Sequence, residues 1–436
     1  MIDIERLYAS FKQSSGVTTD TRQCKEGMMF FALRGENFDG NRYATEALGK
    51  GCSCVVVDNR DCLDEGNPQM IFVEDSLKAL QQLARHHRRQ LGTTIVGVTG
   101  TNGKTTTKEL MAAVLKRRYQ ILYTQGNLNN HIGVPLTLLQ LTPSHEMAIV
   151  EMGANHPGDI KELVDIAEPN YGVITNVGMA HLQGFGSFEG VIQTKGELYD
   201  FMRTTEERTI FLNDNNEYLK AIAGGLTAVR YGRPSKENDL YVEGEVVACD
   251  PYLRFRWKEG MDDWHEVSTH IVGSYNIDNA LCAATVGRYF GVLPEDVSVA
   301  LSEYVPTNNR SQLTVTENNT LIVDAYNANP TSMRAALDNF ECMEVSPKMV
   351  ILGDMKELGE ATAEAHQAVV DRLAGCGFEQ VWLVGASFAA TQHGPARVFV
   401  DAEAVKRELQ QNPIEKKYVL VKGSNSMKLA SLVPYL

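Results

Sequence analysis

Residues 94–106 read TIVGVTGTNGKTT, an apolar run that passes through a glycine-containing loop into helix-favouring sequence. The apolar run predicts a buried strand over 94–98, and good helix formers from Thr105 to about Lys116 predict a helix. Glycines allow such a loop to curl so that backbone N–H groups face phosphate oxygens, and the helix N-terminus adds partial positive charge. The stretch therefore predicts a phosphate-binding loop between a strand and a helix.

Two side chains of this loop have distinct expected roles. Lys104 can reach the β- and γ-phosphates of a nucleotide, and the Thr105 hydroxyl can bind Mg²⁺. The pattern is shorter than a full P-loop, because position 98 is valine where the longer motif has glycine. The alternative is a glycine turn with an exposed lysine. The predicted nucleotide-binding residues here are Gly100, Thr101, Asn102, Gly103, Lys104, Thr105 and Thr106.

Downstream of the loop, further apolar runs at 147–150 and 172–175 alternate with helical stretches. This alternation predicts an α/β domain with a parallel, doubly wound sheet. Glu151 and His181 each follow a predicted strand end, where ligands usually bind in such sheets. Glu151 is thus a candidate second protein ligand of a nucleotide-bound magnesium. The alternatives are a helix-capping carboxylate and a structural histidine.

The rest of the central region departs from this alternation. Polar and apolar residues alternate around turn signals over 239–271, which predicts an antiparallel excursion, and 273–290 predicts a helix. In the segment at 194–197, composition alone suggests that Lys195 is a solvated helix lysine.

The flanking regions predict two more α/β units. Short β-rich runs at 28–33, 54–57 and 70–73 indicate a small N-terminal domain. Strand-like runs at 321–324, 349–352, 381–384, 398–400 and 418–421 indicate a C-terminal, Rossmann-like open sheet. We expect domains at 1–88, 89–306 and 307–436.

Composition narrows the class of protein. The net charge of 41 − 55 = −14 disfavours a general nucleic-acid binder. The N-terminus has no signal-peptide pattern and no apolar run reaches membrane-span length, so we expect a cytoplasmic protein without a membrane span. The eight cysteines show no metal-binding spacing and predict reduced packing thiols. The basic cluster at 85–89 predicts a solvated helix end or linker.

In combination, these motifs resemble the Mur ligase superfamily, whose members convert a carboxylate to an acyl phosphate and then form an amide bond. Within it they are most similar to ligases that join D-alanyl-D-alanine to a UDP-N-acetylmuramoyl (UDP-MurNAc) tripeptide. The resemblance implies an ATP-dependent acid–D-amino-acid ligase of peptidoglycan synthesis, and so of cell-wall biogenesis, cell shape and division, acting as a monomer. It spans essentially the whole chain and is carried, besides the loop, by segments 151–160, 181–186, 195–197, 324–330 and 352–359.

The resemblance also assigns site residues. It implies that Lys195 is carbamylated by CO₂ and binds a second Mg²⁺ with His181, while Glu151 serves the magnesium at ATP. Lys104, Lys195 and His181 would be catalytic. Further nucleotide-binding residues would be Asn276, Asn279, Arg310, Tyr326, Asn327 and Asn329. The UDP-sugar would contact Thr21, Arg22, Leu33, Gly35 and Asp39 in the N-terminal domain. The C-terminal domain would close on ATP and bind the amine substrate.

Other readings remain at this point. The family's frequent Lys-Gly-Ser-Arg is Lys-Gly-Ser-Asn at 422–425, so no arginine role carries over to Asn425. A sister ligase that adds the third peptide residue is the nearest rival, although its Asp-Asn-Pro-Arg signature is absent. Folylpolyglutamate synthase is another reading, but it would not need this N-terminal domain. A non-catalytic nucleotide-binding scaffold would not need Lys104, Thr105, Glu151, His181 and Lys195 together. The third peptide residue could be lysine or diaminopimelate.

Overall fold

The computed structural model describes residues 3–235 and 239–436. Its first part contains a four-stranded parallel sheet, a two-stranded hairpin and three α-helices. The strands are β1 (Val17–Thr18), β2 (Met29–Phe31), β3 (Arg34–Gly35), β4 (Phe38–Asp39), β5 (Cys54–Val57) and β6 (Met70–Phe72). The helices are α1 (Ile4–Gln13), α2 (Ala44–Gly49) and α3 (Ser76–Leu91). The sheet order is β1-β2-β5-β6, and the hairpin pairs β3 with β4. Because β5 is buried on both faces, its sequence is continuously apolar rather than alternating.

A nine-stranded sheet forms the centre of the molecule. Its strands are β7 (Thr94–Thr99), β8 (Ile121–Tyr123), β9 (Met147–Glu151), β10 (Tyr171–Ile174), β11 (Thr209–Asn213), β12 (Thr227–Gly232), β13 (Val242–Cys249), β14 (Tyr252–Glu259) and β15 (His265–Val272). The order is β15-β14-β13-β12-β11-β10-β7-β9-β8. Pairing is parallel from β8 to β13 and antiparallel between β13, β14 and β15. The predicted parallel sheet with an antiparallel excursion is confirmed.

Helices cover this sheet and build the crevice at its carboxyl edge. They are α4 (Lys104–Leu115), α5 (Gly133–Leu138), α6 (Asp159–Ala167), α7 (Leu182–Phe185), α8 (Phe188–Met202), α9 (Glu217–Ile222), α10 (Ile277–Tyr289) and α11 (Pro294–Glu303). Successive residues of β7 point to opposite faces, so Ile95 enters one core while Val96 and Val98 enter another. Helix α4 packs against α10 in the second core, which brings the start of α10 beside the loop that precedes α4.

The last part of the chain is a six-stranded sheet with helices on both faces. Its strands are β16 (Gln312–Val315), β17 (Thr320–Asp324), β18 (Lys348–Gly353), β19 (Gln380–Val384), β20 (Arg397–Phe399) and β21 (Tyr418–Lys422). The helices are α12 (Pro330–Cys342), α13 (Thr362–Leu373), α14 (Ala386–Ala389) and α15 (Ala402–Gln411). The order is β16-β17-β21-β18-β19-β20, parallel except for β16. No helix in the described ranges is long and apolar enough to cross a membrane.

For the basic cluster at 85–89 the structure corrects the prediction of a solvated helix end or linker. It lies on α3, whose inner face packs on the central part, and the solvated prediction is wrong for His87 and Arg88, which are buried. His87 Nε2 lies 2.9 Å from the Leu141 carbonyl oxygen, and Arg88 Nη2 donates to the Glu168 carbonyl at 3.0 Å. These residues therefore join the N-terminal and central parts.

Candidate active site

The phosphate loop has the backbone that its glycines predict. It leaves the end of β7 and enters α4 through Gly100 at φ +139° and Gly103 at φ +78°. A Cβ on Gly100 would lie 2.1 Å from Thr175 Oγ1, and one on Gly103 would lie 2.5 Å from Asn279 Oδ1. Both positions therefore require glycine, for backbone conformation and for space.

Lys104 folds back over this loop. Its Nζ donates to the carbonyl oxygens of Gly100 at 2.7 Å and Thr101 at 3.1 Å. Burial lowers the pKa of Lys104 to about 8, with Arg310 acting in the same direction and Glu151 opposing. The loop thus holds a cation beside the backbone that is expected to receive phosphates.

Glu151 and Thr105 form an oxygen-rich pair beneath the loop. Glu151 is 1% exposed, and its Oε1 accepts from Thr105 Oγ1 at 3.2 Å and from Asn129 Nδ2 at 2.9 Å. Its Oε2 has no hydrogen-bond partner in the described part of the chain and lies 3.8 Å from Lys108 Nζ. A buried carboxylate oxygen without a donor, next to a hydroxyl, fits the ligand chemistry of Mg²⁺.

Protein ligands alone would not complete such a site. Among residues 3–235 and 239–436, no three His, Cys, Asp or Glu side chains come together as a metal-binding cluster. A magnesium ion held by Thr105 and Glu151 would therefore take its other ligands from phosphates and water, as this ion commonly does.

His181 and Lys195 meet over one aromatic ring. Lys195 Nζ lies 5.1 Å from the centroid of Phe185, and the His181 ring packs edge-on against it at 6.1 Å. Lys195 is 2% exposed, so the solvated reading of this lysine is wrong. Burial sets its pKa well below the ordinary value, assisted by the charge of Lys104 and opposed by acidic neighbours. Its amine is therefore biased toward the neutral, nucleophilic form.

Two contacts of the C-terminal part reach the phosphate loop and the His181 segment of the central part. Asn329, the N-cap of α12, hydrogen-bonds Asn102 in the phosphate loop. Glu357, in the loop after β18, places a carboxylate oxygen within ion-pair distance of Nδ1 of His181, and this contact lowers the pKa of the Glu357 carboxyl. The C-terminal part thus contacts both the phosphate loop and the His181 segment.

These segments enclose a cavity of about 670 Å³. The predicted residues that line it are Thr101, Asn102, Gly103, Lys104, Thr106, Glu151, His181, Asn276, Asn279, Arg310, Tyr326 and Asn327. Four others contact the lining residues from behind or beside them: Gly100, Thr105, Lys195 and Asn329. The structure therefore gathers the predicted nucleotide and metal residues into one place.

The cavity lining also carries polar and aromatic groups from both parts. Asn279 Nδ2 donates to Asn276 Oδ1 at 2.8 Å, and the Arg310 guanidinium lies 3.9 Å from the centroid of Tyr326. The lining also includes Lys422, 1% exposed, whose Nζ is 2.5 Å from Asp324 Oδ2. Lys422 is thus held by a carboxylate at the end of the neighbouring strand β17.

The predicted UDP-sugar residues lie elsewhere. Thr21, Arg22, Leu33, Gly35 and Asp39 belong to the N-terminal part and do not line this cavity. Arg22 is largely exposed and pairs with Asp20 at 2.7 Å, which lowers the pKa of Asp20 to about 2. Asp39 Oδ1 accepts from the Asn41 backbone at 3.0 Å. Their role in binding substrate stays a prediction.

Several polar groups of the site were not predicted. Asn176 Oδ1 accepts from the Asn102 backbone at 3.0 Å, and Asn129 binds Glu151 as described. Lys108 is fully buried, one turn after Lys104, with Nζ 2.6 Å from the Thr124 carbonyl oxygen. The sequence did contain a signal for Lys108, because its spacing of one helical turn from Lys104 places it near the loop. The pairing of Glu357 with His181 has no signal in local sequence, because the two residues are far apart in the chain.

Comparison with known proteins gives one consistent result. Three family descriptions match successive parts: "Mur ligase family, catalytic domain" at 13–88, "Mur ligase middle domain" at 98–287 and "Mur ligase, glutamate ligase domain" at 309–425. UDP-N-acetylmuramoyl-tripeptide–D-alanyl-D-alanine ligase of Bacillus subtilis (strain 168) is 36% identical, covering 96% of this chain and 92% of its own. The protein of that name from Escherichia coli (strain K12) is 34% identical with the same coverage. A crystal structure of MurF from Acinetobacter baumannii has a TM-score of 0.87 at 27% identity, covering 99% of this chain and 97% of that one.

Proposed function

The chain belongs to the Mur ligase family, and from this we propose that it is an ATP-dependent UDP-MurNAc-tripeptide–D-alanyl-D-alanine ligase. The observation that carries the proposal is the cavity in which the phosphate loop, Glu151 and His181 face residues 324–330 of the C-terminal part. Relatives that match over nearly the whole chain carry the name of this activity.

ATP would bind with its phosphates on the loop at 100–106. The backbone N–H groups and the start of α4 favour the negative charge, and Lys104 neutralises charge on the γ-phosphate during transfer. Asn276 and Asn279 would lie at the adenine side, with Arg310, Tyr326, Asn327 and Asn329 closing over the nucleotide. All of these residues line the cavity or contact a residue that does.

Four residues of the central part would hold two magnesium ions. Thr105 and Glu151 would hold one, and His181 with carbamylated Lys195 would hold the other. Bound there, the ions would stabilise charge on the transferring phosphoryl group. Carbamylation would form a bond from the neutral Lys195 nitrogen to the carbon of CO₂, with loss of one proton. The burial of Lys195 and its lowered pKa support this step.

The reaction would proceed in two transfers. The terminal carboxylate of the tripeptide attacks the γ-phosphorus of ATP, and ADP leaves to give an acyl phosphate. The amine of D-alanyl-D-alanine then attacks the acyl carbon, loses a proton and expels inorganic phosphate as the amide forms. Water must be kept from the acyl phosphate, and the contacts of Asn329 and Glu357 with the central part would help to cover it.

Each part of the chain would take one substrate. Residues 1–88 would bind the UDP-sugar through Thr21, Arg22, Leu33, Gly35 and Asp39, residues 89–306 would bind ATP, and residues 307–436 would bind the dipeptide. Since ATP and UDP-linked precursors are cytoplasmic substrates, we place the enzyme in the cytoplasm, acting as a monomer.

A phosphate-release assay tests this function. With ATP and magnesium, release should require both the UDP-MurNAc tripeptide and D-alanyl-D-alanine, and Lys104→Ala should slow it by about two to three orders of magnitude. If phosphate is released equally fast when both substrates are left out, the protein is a simple ATPase. If no phosphate is released when both are present, the assignment is wrong.

A further inference from the structure

A carboxylate of the C-terminal part contacts the predicted metal-binding histidine of the central part. Glu357 Oε2 pairs with Nδ1 of His181, and the side chains are 53% and 21% exposed. Ion pairs this exposed stabilise a folded protein little. The contact therefore matters more for where it places the imidazole than for stability.

The backbone has an unusual conformation at both residues of this contact. His181 and Glu357 both adopt left-handed conformations, at φ 51° and 64°, which residues other than glycine rarely take. The Gln183 backbone N–H donates to the Glu357 carbonyl at 3.2 Å. A Cβ on Gly359 would lie 3.5 Å from Gln183 Cα. Segments 181–183 and 357–359 thus meet through backbone as well as side chains, and unusual backbone at such a meeting point is typical of functional sites.

The loop that carries Glu357 is anchored from within its own domain. Asp354, at the end of β18, is buried and accepts from the Phe388 backbone at 3.0 Å. His366 Nε2 accepts from the Met355 backbone at 3.0 Å. These bonds hold in place the two residues that begin the loop carrying Glu357.

We propose that Glu357 is a positioning residue for His181. The negative charge of an ionised carboxylate at ion-pair distance from Nδ1 favours the tautomer of the neutral imidazole that carries its proton on that nitrogen, and this leaves the Nε2 lone pair free. A carboxylate on the far nitrogen is also the way in which metal-binding histidines are commonly oriented. Because Glu357 belongs to the C-terminal part, His181 is held in this form only when that part lies against the central one. The kinetic test below rests on the proposed function, whereas the spectroscopic test does not.

The spectroscopic test reads the imidazole directly. Ring ¹⁵N shifts of His181 are recorded in metal-free protein at about pH 8, where an ordinary imidazole is neutral, and are assigned with His181→Gln. We expect a protonated Nδ1 in the unsubstituted protein and a shift of the proton toward Nε2 in Glu357→Ala. Unchanged spectra in Glu357→Ala, or a proton on Nε2 from the start, would overturn the inference.

The kinetic test separates positioning from general loop effects. Glu357→Ala should lower kcat about 10–100-fold, as loss of partners behind metal-binding histidines does, without changing KM for ATP. Glu357→Gln keeps a carbonyl acceptor and should retain more activity. Glu360→Ala, an exposed glutamate of the same loop, is the control and should behave as the unsubstituted protein. Full activity in Glu357→Ala, or an equal loss in Glu360→Ala, would contradict the role. If the unsubstituted protein lacks ligase activity, the proposed function fails while the ¹⁵N result still decides this inference.

Discussion

The side-chain amide of Asn329 donates a hydrogen bond to Asn102 Oδ1 across 2.8 Å. This bond ties the start of α12 to the loop that is expected to hold the phosphates of ATP. Asn329 also caps α12 by accepting from the Ser332 backbone at 2.9 Å. One side chain therefore begins a helix and joins the two parts that enclose the cavity.

These two roles of Asn329 can be separated. Asn329→Asp keeps the capping acceptor but loses the donor to Asn102, so we expect kcat/KM for ATP to fall about tenfold, since a lost bond of about 1.4 kcal/mol is a tenfold change. The unfolding temperature should stay the same. Asp401→Asn, at the N-cap of α15 in the same domain, is the matched control and should change neither quantity. Unchanged kinetics in Asn329→Asp would show that the contact with Asn102 does not serve catalysis.

Lys104 is expected to act in the chemical step. Lys104→Ala should reduce kcat by about two to three orders of magnitude, the usual loss when one donor to transition-state charge is removed. Its fold should remain intact, because the hydrogen bonds that Nζ makes within residues 3–235 and 239–436 go to the carbonyls of its own loop. Lys116→Ala, at the other end of α4, serves as control in the same steady-state assay. Turnover of Lys104→Ala near that of the control would count against the assignment of the loop.

Lys195 should exist as a carbamate. With ¹³C-labelled bicarbonate, a carbamate carbon signal is expected in the unsubstituted protein and in Lys220→Ala, and should be missing from Lys195→Ala. Lys195→Ala should be inactive and partly rescued by short carboxylic acids, because the space left by the buried side chain can admit a small carboxylate. An active Lys195→Ala enzyme, or spectra without the carbamate signal, would refute this role.

His87 should make stability depend on pH. Burial lowers the pKa of His87 in the folded protein, so the neutral form is favoured there, and the unfolded chain takes up the proton first as pH falls. The stability is therefore full above about pH 6.5 and is lost as pH falls below it. His87→Gln should flatten the fall of unfolding temperature between about pH 7 and 5. The pKa of His366 is also lowered, so part of the fall of unfolding temperature with pH will remain in His87→Gln. A slope unchanged by His87→Gln would contradict this explanation.

The sequence predicted the parts of the fold that local patterns encode. The apolar run at 94–98 followed by Gly100 and Gly103 indicates strand β7, the loop and α4, because each step has its own local physical cause. The alternation over 239–271 likewise indicated β13 to β15. Edge strand β16 escaped prediction, because it is four residues long, only partly buried and ends in the exposed Val315.

Contacts between distant residues were beyond local patterns. The burial of His87 and Arg88 depends on which face of α3 packs against the central part, and five basic residues in a row give no such direction. Lys195 had to be assigned through resemblance, since a helix lysine is usually solvated. The pairing of His181 with Glu357 and of Asn102 with Asn329 arises only when the central and C-terminal parts come together.

Product mass spectrometry tests the central claim most directly. The protein is incubated with ATP, magnesium and UDP-MurNAc tripeptide, and is offered D-alanyl-D-alanine, D-alanine or L-alanine in separate reactions. A site that pairs the amide and terminal carboxylate of a dipeptide leaves polar groups unsatisfied with a single amino acid, which can cost about four orders of magnitude in efficiency. We predict one product whose mass is that of the tripeptide precursor plus the dipeptide less one water, formed far faster than any product with D-alanine or L-alanine. Equal turnover of free D-alanine and the dipeptide would contradict the account and move the protein to another member of the family.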